Sequence, residues 1–429
     1  MAEQPRTRLE QIMKSRDLGP TEFEREFNRR ATQLGVDTSV STSTLHRWVT
    51  GAEKPRSASR KVLEAWFEEP VTVLLGRPHT APARTTMSVE EMIVTSGRES
   101  AEHAFETAAS SLDSVAVEHL QGQVEQAARR FNTTATLAML PELVALRDRV
   151  YQQLDRTNKP RQMTDLYLIA GQICGLIAAA SLDLGYADSA EDQARAALTY
   201  GRFIEHPSLQ GWARALLATV AYWSGRPRKA IEYASDGLTV ATAATVRAQL
   251  HCLNARALGQ VGARDEVAHH LHVAVDELDR AGGDPLFDEV GGEMQFDRLR
   301  YSVCAASAYL ALGEGEFAET ASSDALGMFV RGSEENRFGV LAARTDLATA
   351  RTLCGDLAGA QDAIEPVLGI DSTRRTERLT QRAVALGRLL GATRFRGAAE
   401  ARGLGEALEG FTQASLPRAL PRPALPPSN

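Results

Sequence analysis

Five glycines that recur along the chain constrain its fold more than any other sequence feature. Each is preceded, seven residues earlier, by an alanine and followed, five residues later, by a small aliphatic residue. Glycine tolerates the backbone conformations of tight turns, and small residues allow close helix packing. Each register therefore predicts two antiparallel helices joined at a bend. The registers are Ala178, Gly185 and Ala190; Ala218, Gly225 and Ala230; Ala255, Gly262 and Val267; Ala306, Gly313 and Ala318; and Ala348, Gly355 and Ala360.

These hairpins resemble tetratricopeptide repeats, whose period is about 34 residues. The spacings between the five glycines are longer, at 40, 37, 51 and 42 residues. The resemblance implies an all-α protein with a right-handed tetratricopeptide-like α-solenoid over residues 88–412. The spacing of 51 comes from an irregular insertion between Gly282 and Gly292, which we interpret either as a plain long loop or as a binding loop.

Apolar stripes before the first hairpin have two interpretations. Leu120, Val124, Ala127 and Phe131 lie at helical spacing and predict a face that is covered either by the solenoid, as a cap, or by a second subunit. Four cysteines occur without a CxxC pair, and we expect them to be small buried residues. They are Cys174, Cys252, Cys304 and Cys354.

The N-terminal segment differs from the rest of the chain in charge. Residues 1–77 contain 13 basic and 11 acidic side chains, against 35 and 44 in the remainder, so a weak preference for a nucleic-acid partner falls here. Between Ser39 and Gly51 a hydroxyl-rich start, an apolar face with Leu45 and Trp48, and a final glycine predict a short capped helix. No carboxylate lies between Thr38 and Ala52, as expected for a helix that approaches phosphates.

Residues 6–76 resemble the XRE-type helix-turn-helix of actinobacterial regulators. The resemblance rests on Leu34-Gly35-Val36, on the segment from Ser43 to Trp48, and on Gly51 with Lys54-Pro55. It departs from that family in the longer turn, Asp37 to Val40. The alternative is a helical bundle without a DNA role. The resemblance implies that the recognition helix and the basic residues after it contact DNA, through Thr42, Ser43, Thr44, His46, Arg47, Lys54, Arg56, Arg60 and Lys61.

The first helix of each hairpin is expected to line the groove of the solenoid. Aromatic, amide and arginine side chains at these positions suit a peptide, an amphipathic small molecule or a protein partner, although such residues also pack between repeats. The candidates are Trp212, Tyr222, Trp223, Gln249, Arg256 and Arg300. His269 and His272 lie one helical turn apart but lack further ligands, and catalytic motifs and phosphate loops are missing. We therefore expect no enzyme activity, cofactor or metal.

Together these patterns predict a helix-turn-helix domain at residues 1–76, a linker at 77–87, a helical-repeat domain at 88–412 and a disordered proline-rich tail at 413–429. We expect a cytoplasmic, nucleoid-associated protein, since we find neither a leader nor an uninterrupted apolar membrane span. The expected function is sequence-specific transcriptional regulation of double-stranded DNA by a homodimer. The resemblance suggests a role in development or secondary metabolism. The alternative is a protein-interaction scaffold without DNA binding.

Overall fold

The computed structural model describes residues 5–78, 89–108, 114–157, 159–284, 286–331 and 337–419. Within these ranges all regular secondary structure is helical, which confirms the all-α class. The chain forms two compact units, Met1–Arg98 and Glu99–Asn429. The predicted domain limits at residues 76 and 88 stay predictions, because residues 79–88 lie outside the described ranges.

The first unit is a small helical bundle around one apolar core. Thr7 caps the first helix by accepting a hydrogen bond from the Glu10 amide. Phe23 and Phe27 are fully buried at the centre, whereas Leu34, which follows the last helical residue Gln33, is 50% exposed. The helices are α1 (Arg8–Ser15), α2 (Pro20–Gln33), α3 (Thr42–Val49), α4 (Ser57–Phe67) and α5 (Val71–Leu74).

The long turn between α2 and α3 is anchored by one side chain. The Asn28 amide nitrogen donates to the Val40 carbonyl at 3.1 Å, and its oxygen accepts from the Val40 amide at 2.8 Å. Thr38 also forms a hydroxyl hydrogen bond of 2.8 Å with Ser59 in α4. Val40 is buried. The longer turn is therefore fixed to the bundle at two positions, Thr38 and Val40.

Helices α9 to α20 form an array of six antiparallel pairs, from α9 with α10 to α19 with α20. Helices α6 to α8 come before the array, and α21 follows it. The bounds are α6 (Val89–Ala108), α7 (Ser114–Arg130), α8 (Thr136–Leu154), α9 (Pro160–Asp183), α10 (Ala187–Phe203), α11 (Pro207–Trp223), α12 (Pro227–Val240), α13 (Ala244–Gln260), α14 (Arg264–Asp279), α15 (Arg298–Leu312), α16 (Gly315–Arg331), α17 (Arg337–Cys354), α18 (Leu357–Leu368), α19 (Glu377–Leu390), α20 (Ala399–Gln413) and α21 (Leu416–Ala419).

All five predicted bends join the two helices of a pair. Their glycines have φ between +68° and +88°, a region that side chains with a Cβ rarely occupy. The matched alanines and small residues on both sides are buried, which confirms the helical-repeat array. The sequence pattern missed the sixth pair, because a short 3₁₀ segment at Thr393–Phe395 separates α19 from α20.

Helix α9 is buried without interruption from Ile169 to Asp183. At Gly175 an added Cβ would lie 2.2 Å from the Trp212 ring, so glycine allows α11 to approach α9 closely. By length and composition alone, α9 is apolar enough to cross a membrane, which the sequence analysis did not anticipate. However, 83% of its most apolar window is buried inside the protein, as is typical of a core helix.

The described part of the insertion is packed against the array. Phe287 is fully buried in the main core. The Ser208 hydroxyl donates to Asp284 at 2.5 Å, and the Thr245 hydroxyl donates to Asp288 at 2.6 Å. The described part of the insertion is therefore a loop that packs against the array, and its role as a binding loop stays a prediction. The stripe on α7 that includes Leu120 joins the same core, so the array itself covers that face.

The last pair returns to the first one. Arg378 in α19 donates to both carboxylate oxygens of Asp183 in α9, at 2.6 and 2.9 Å. Beyond α20, the Leu416 amide donates to the Arg375 carbonyl at 3.2 Å. Residues 413–419, which we expected to belong to a disordered tail, are thus described as ordered, and residues 420–429 lie outside the described ranges. Three cysteines are buried as expected, but Cys354 is exposed.

Candidate functional site

The outer face of α3 carries the residues predicted to read DNA. Ser41 caps the helix by accepting a hydrogen bond from the Thr44 amide. Leu45 and Trp48 are buried in the bundle, and the helical period therefore turns the intervening residues outward. Thr44 is half-buried, and the exposed members of the predicted set on this helix are Thr42, Ser43, His46 and Arg47.

Two carboxylates lie close to this face although none occurs within the segment itself. Glu24 of α2 accepts a hydrogen bond from the Thr42 amide at 2.9 Å, which satisfies a free donor at the start of α3. Glu53 forms an ion pair of 3.1 Å with Arg47. Carboxylates from α2 and from the loop after α3 therefore border this face although the segment itself has none, and Arg47 has an internal partner.

The predicted phosphate-contacting residues are all exposed. Lys54 and Arg56 follow α3, and Arg60 and Lys61 lie in the first turns of α4. The Arg60 guanidinium donates to the Pro55 carbonyl at 2.9 Å, which ties this loop to α4. Exposed cations beside an exposed helix are the arrangement that phosphate contacts require.

The second candidate site is a cavity inside the helical-repeat unit. Five of the six predicted groove residues line it: Trp212, Trp223, Gln249, Arg256 and Arg300. The first helices of all six pairs contribute to its wall. The cavity measures about 120 Å³, and a neighbouring cavity of about 400 Å³ shares Asn132, Phe338 and Arg378 with it. Tyr222 is not part of the wall; its ring lies behind Arg256, 4.3 Å from the guanidinium carbon.

Four arginines contribute to the cavity wall, and three of them have carboxylate partners. Arg300 pairs with Glu293 at 2.9 Å, Arg378 pairs with Asp183, and the Arg382 Nε donates to Asp346 at 3.0 Å. Burial disfavours the charge of Arg378, but the attraction and hydrogen bonds of Asp183 raise its pKa. These three pairs are compensated buried charges.

Arg256 is the fourth arginine and has no carboxylate partner among the described residues. Its side chain is 93% buried, since its exposed fraction is 7%, and its Nε and Nη2 lack hydrogen-bond acceptors in the described part of the chain. Arg382 likewise leaves Nη1 without an acceptor there. Both guanidinium groups lie against the Trp223 ring, at 5.3 and 4.7 Å from its centroid. The cavity wall thus contains enclosed guanidinium donors that lack acceptors among the described residues.

Besides the charged side chains, the described lining of the cavity contains one further ionisable residue, Cys304. A hydrogen bond from Cys252 lowers its pKa to about 6, against the effect of burial and with help from the charges of Arg256 and Arg382. The same burial raises the pKa of Cys252. The hydrogen bond from Cys252 and the two nearby guanidinium groups therefore favour the thiolate form of Cys304.

The sequence analysis missed most of the charged residues at the cavity wall. Arg378, Arg382, Asp183, Asp346 and Glu293 were not among the predicted site residues, and neither was Cys304. Arg378 and Arg382 lie one helical turn apart on α19, a helix that lacks the glycine register used to count groove positions. Their spacing of four residues was the available signal.

His270 of α14 lies against a histidine of the neighbouring helix. No group of three or more potential metal ligands occurs among the described residues. His270 forms a hydrogen bond of 2.8 Å between its Nδ1 and that of His251 in α13. Burial and the neighbouring His270 and Arg247 lower the pKa of His251 to about 4, so this pair is neutral at physiological pH.

Comparisons with known proteins find similarity among solved structures. No model of a known protein family matches the sequence, and no curated protein is similar to it in sequence. Among solved structures, the crystal structure of a Rap protein complexed with Competence and Sporulation Factor is similar at 13% sequence identity, with a TM-score of 0.38. The match covers 70% of the present chain and 99% of that protein. At this TM-score the similarity supports no inference about ligands or partners, and the helical-repeat fold rests on the helices described above.

Proposed function

We propose that the protein is a non-enzymatic, cytoplasmic transcriptional regulator that binds double-stranded DNA through α3. The observation that carries the proposal is the exposed polar face of α3, next to four exposed basic side chains on the following loop and helix. The resemblance of residues 6–76 to XRE-type regulators supports it. Asn28 anchors the longer turn that leads into α3.

The helical-repeat unit is the regulatory part in this proposal. Its interior cavity is lined by the first helices of all six pairs, so a ligand there contacts elements far apart in sequence. A ligand changes DNA binding only if its affinity differs between two arrangements of the protein. We propose that the protein acts as a homodimer whose two α3 helices meet half-sites about 34 Å apart.

The test is DNA capture by the full-length protein, followed by sequencing. A chain with Arg47→Glu and Lys54→Glu serves as the comparison, because both side chains are exposed and their replacement leaves the bundle core unchanged. A shared palindromic motif that is recovered only with the parent protein supports a dimeric regulator. Equal recovery of random DNA by both proteins would falsify the proposal.

A protein-interaction scaffold is the second candidate. Glu24 and Glu53 beside α3 favour it, because carboxylates near the proposed DNA surface oppose phosphate binding. Salt dependence separates the two functions. Specific DNA binding weakens steeply as salt rises, whereas a scaffold retains no DNA even at low salt.

A further inference from the structure

We propose that the cavity of the helical-repeat unit binds a monocarboxylic acid with a compact apolar body, whose carboxylate is held by Arg256 and Arg382. This inference deepens the proposed function and rests on it only for the regulatory role. The binding site itself depends only on the side chains that line the cavity.

The unused donors define the polar end of the ligand. The Nε and Nη2 of Arg256 and the Nη1 of Arg382 lack acceptors among the described residues, although both side chains are more than nine-tenths buried. Leaving a buried charged donor without an acceptor is costly. A guanidinium presents a planar fork that matches a carboxylate or a phosphate. An anion with planar oxygen atoms is therefore the group that fits these donors.

The charge of the wall selects a monoanion. Its arginines exceed their three carboxylate partners by one positive charge. A carboxylate that enters next to Arg256 supplies the missing counter-ion. A phosphate dianion would leave one buried negative charge uncompensated.

The rest of the wall defines the body of the ligand. The side chains that face the cavity beside the arginines are largely apolar, among them Leu216, Leu253, Phe296, Val303 and Phe338. A volume of about 120 Å³ is close to the roughly 150 Å³ of an apolar cavity that holds benzene. A benzene-sized acid therefore fills the inner cavity. The adjoining cavity of about 400 Å³ offers space for a longer chain.

Calorimetric titration of the full-length protein with benzoate tests the site. Benzamide is the uncharged control, and phenyl phosphate is the dianionic one. We expect benzoate to bind at least about tenfold more tightly than either control, as the loss of a charged hydrogen bond implies. The proposal is overturned if benzoate and benzamide bind equally. It is also overturned if neither benzoate nor a tripeptide acid that ends in phenylalanine binds.

Variants assign the binding to the two arginines. Arg256→Gln and Arg382→Gln should each weaken benzoate binding about tenfold or more. Arg228→Gln, which makes the same change at an exposed position of α12, should leave it within twofold of the parent. Equal affinities in all three variants contradict the assignment. Unchanged melting temperatures show that a weakened variant is folded.

A measurement without ligand covers the case in which a variant is unstable. Arg256→Met keeps most of the side-chain volume and removes an uncompensated charge, so the melting temperature should stay the same or rise. Arg378→Met breaks a complete ion pair, and its melting temperature should fall. A fall of equal size in both variants gives Arg256 a structural role and overturns the proposal.

A peptide arm distinguishes the source of the carboxylate. A tripeptide that ends in phenylalanine is compared with its C-terminal amide. Binding of both benzoate and the peptide acid shows that the two cavities are used together, and binding of benzoate alone restricts the site to small acids. Benzoate binding without DNA capture would contradict the proposed regulatory function and support the acid-binding site. DNA capture without binding of benzoate or the peptide acid would support the regulatory function and contradict the acid-binding site.

Discussion

Arg378 in α19 donates two hydrogen bonds to Asp183 in α9, across 195 residues of chain. The Asp183 side chain is buried, and the Arg378 side chain is 15% exposed. The contact joins the last helical pair to the first, so an array that could have stayed open is closed on itself. It also places Arg378 at the wall shared by the two cavities.

Replacing Arg378 by methionine should destabilise the helical-repeat unit by about 3–5 kcal/mol, because Asp183 is left as a buried charge without its partner. Urea unfolding followed by circular dichroism measures the loss. In the double variant Asp183→Leu and Arg378→Met, much of the stability should return, since neither charge remains. A double variant as unstable as the single one would mean that packing, rather than charge, dominates at this contact.

Asn28→Ala should cost about 1–3 kcal/mol of unfolding free energy, because the backbone amide and carbonyl of buried Val40 lose their side-chain partner. Specific DNA binding should weaken along with stability. Asn28→Asp is the matched control: its carboxylate can accept from the Val40 amide but cannot donate to the carbonyl, so an intermediate loss is expected. No loss in either variant would show that the turn does not depend on Asn28.

Arg47→Ala should reduce discrimination between specific and random DNA, whereas Lys54→Ala should weaken binding to all DNA similarly. Glu53→Gln provides a third comparison. Because Glu53 pairs with Arg47 at 3.1 Å, its neutralisation should free Arg47 and tighten DNA binding. Fluorescence anisotropy at several salt concentrations measures all three. The role assignments fail if Arg47→Ala and Lys54→Ala lose equal affinity for specific and random sequences.

The stability of the helical-repeat unit should fall as the pH drops from about 6.5 towards 4. An unfolded histidine binds a proton with a pKa of about 6.5, whereas the folded pKa of His251 is about 4. The unfolded chain therefore binds more protons in this window, and stability increases with pH across it. His251→Gln should reduce the slope, and replacement of the exposed His272 by glutamine should not. Identical slopes in all three proteins would contradict this origin.

The alkylation rate of Cys304 should rise with pH around 6 rather than around 9, because Cys252, Arg256 and Arg382 favour its thiolate. The measurement uses iodoacetamide and mass spectrometry in a Cys354→Ser background, which removes the exposed thiol. Arg256→Met should move the profile to higher pH. A parent profile centred near 9 would mean that Cys304 is an ordinary buried thiol.

Much of the fold could be predicted because helical bends leave a local signal. A glycine with positive φ and small residues at fixed offsets report on neighbouring helices, and all five such registers are bends in the structure. The closure between Asp183 and Arg378 leaves no such signal, since it joins residues that are distant in sequence. The sixth pair was missed because a 3₁₀ segment, rather than the glycine register, joins α19 to α20.

The candidate sites were predictable to different degrees. The exposed residues of α3 followed from its helical period alone, whereas the proximity of Glu24 depends on how α2 packs against it. Five groove residues were found by counting along repeats, but the charge balance of the cavity depends on partners from other helices. Arg256 was therefore recognisable as a wall residue, and its lack of a carboxylate partner was not.

The contact between α9 and α19 also has a consequence for folding. An open solenoid can add or lose repeats at its ends, because each repeat depends only on its neighbours. Here the end pairs support each other, so fraying at either terminus breaks contacts at both. Closure of a loop of 195 residues carries a large entropic cost. The ring should therefore form late in folding, and its completion should convert a series of local equilibria into one cooperative transition.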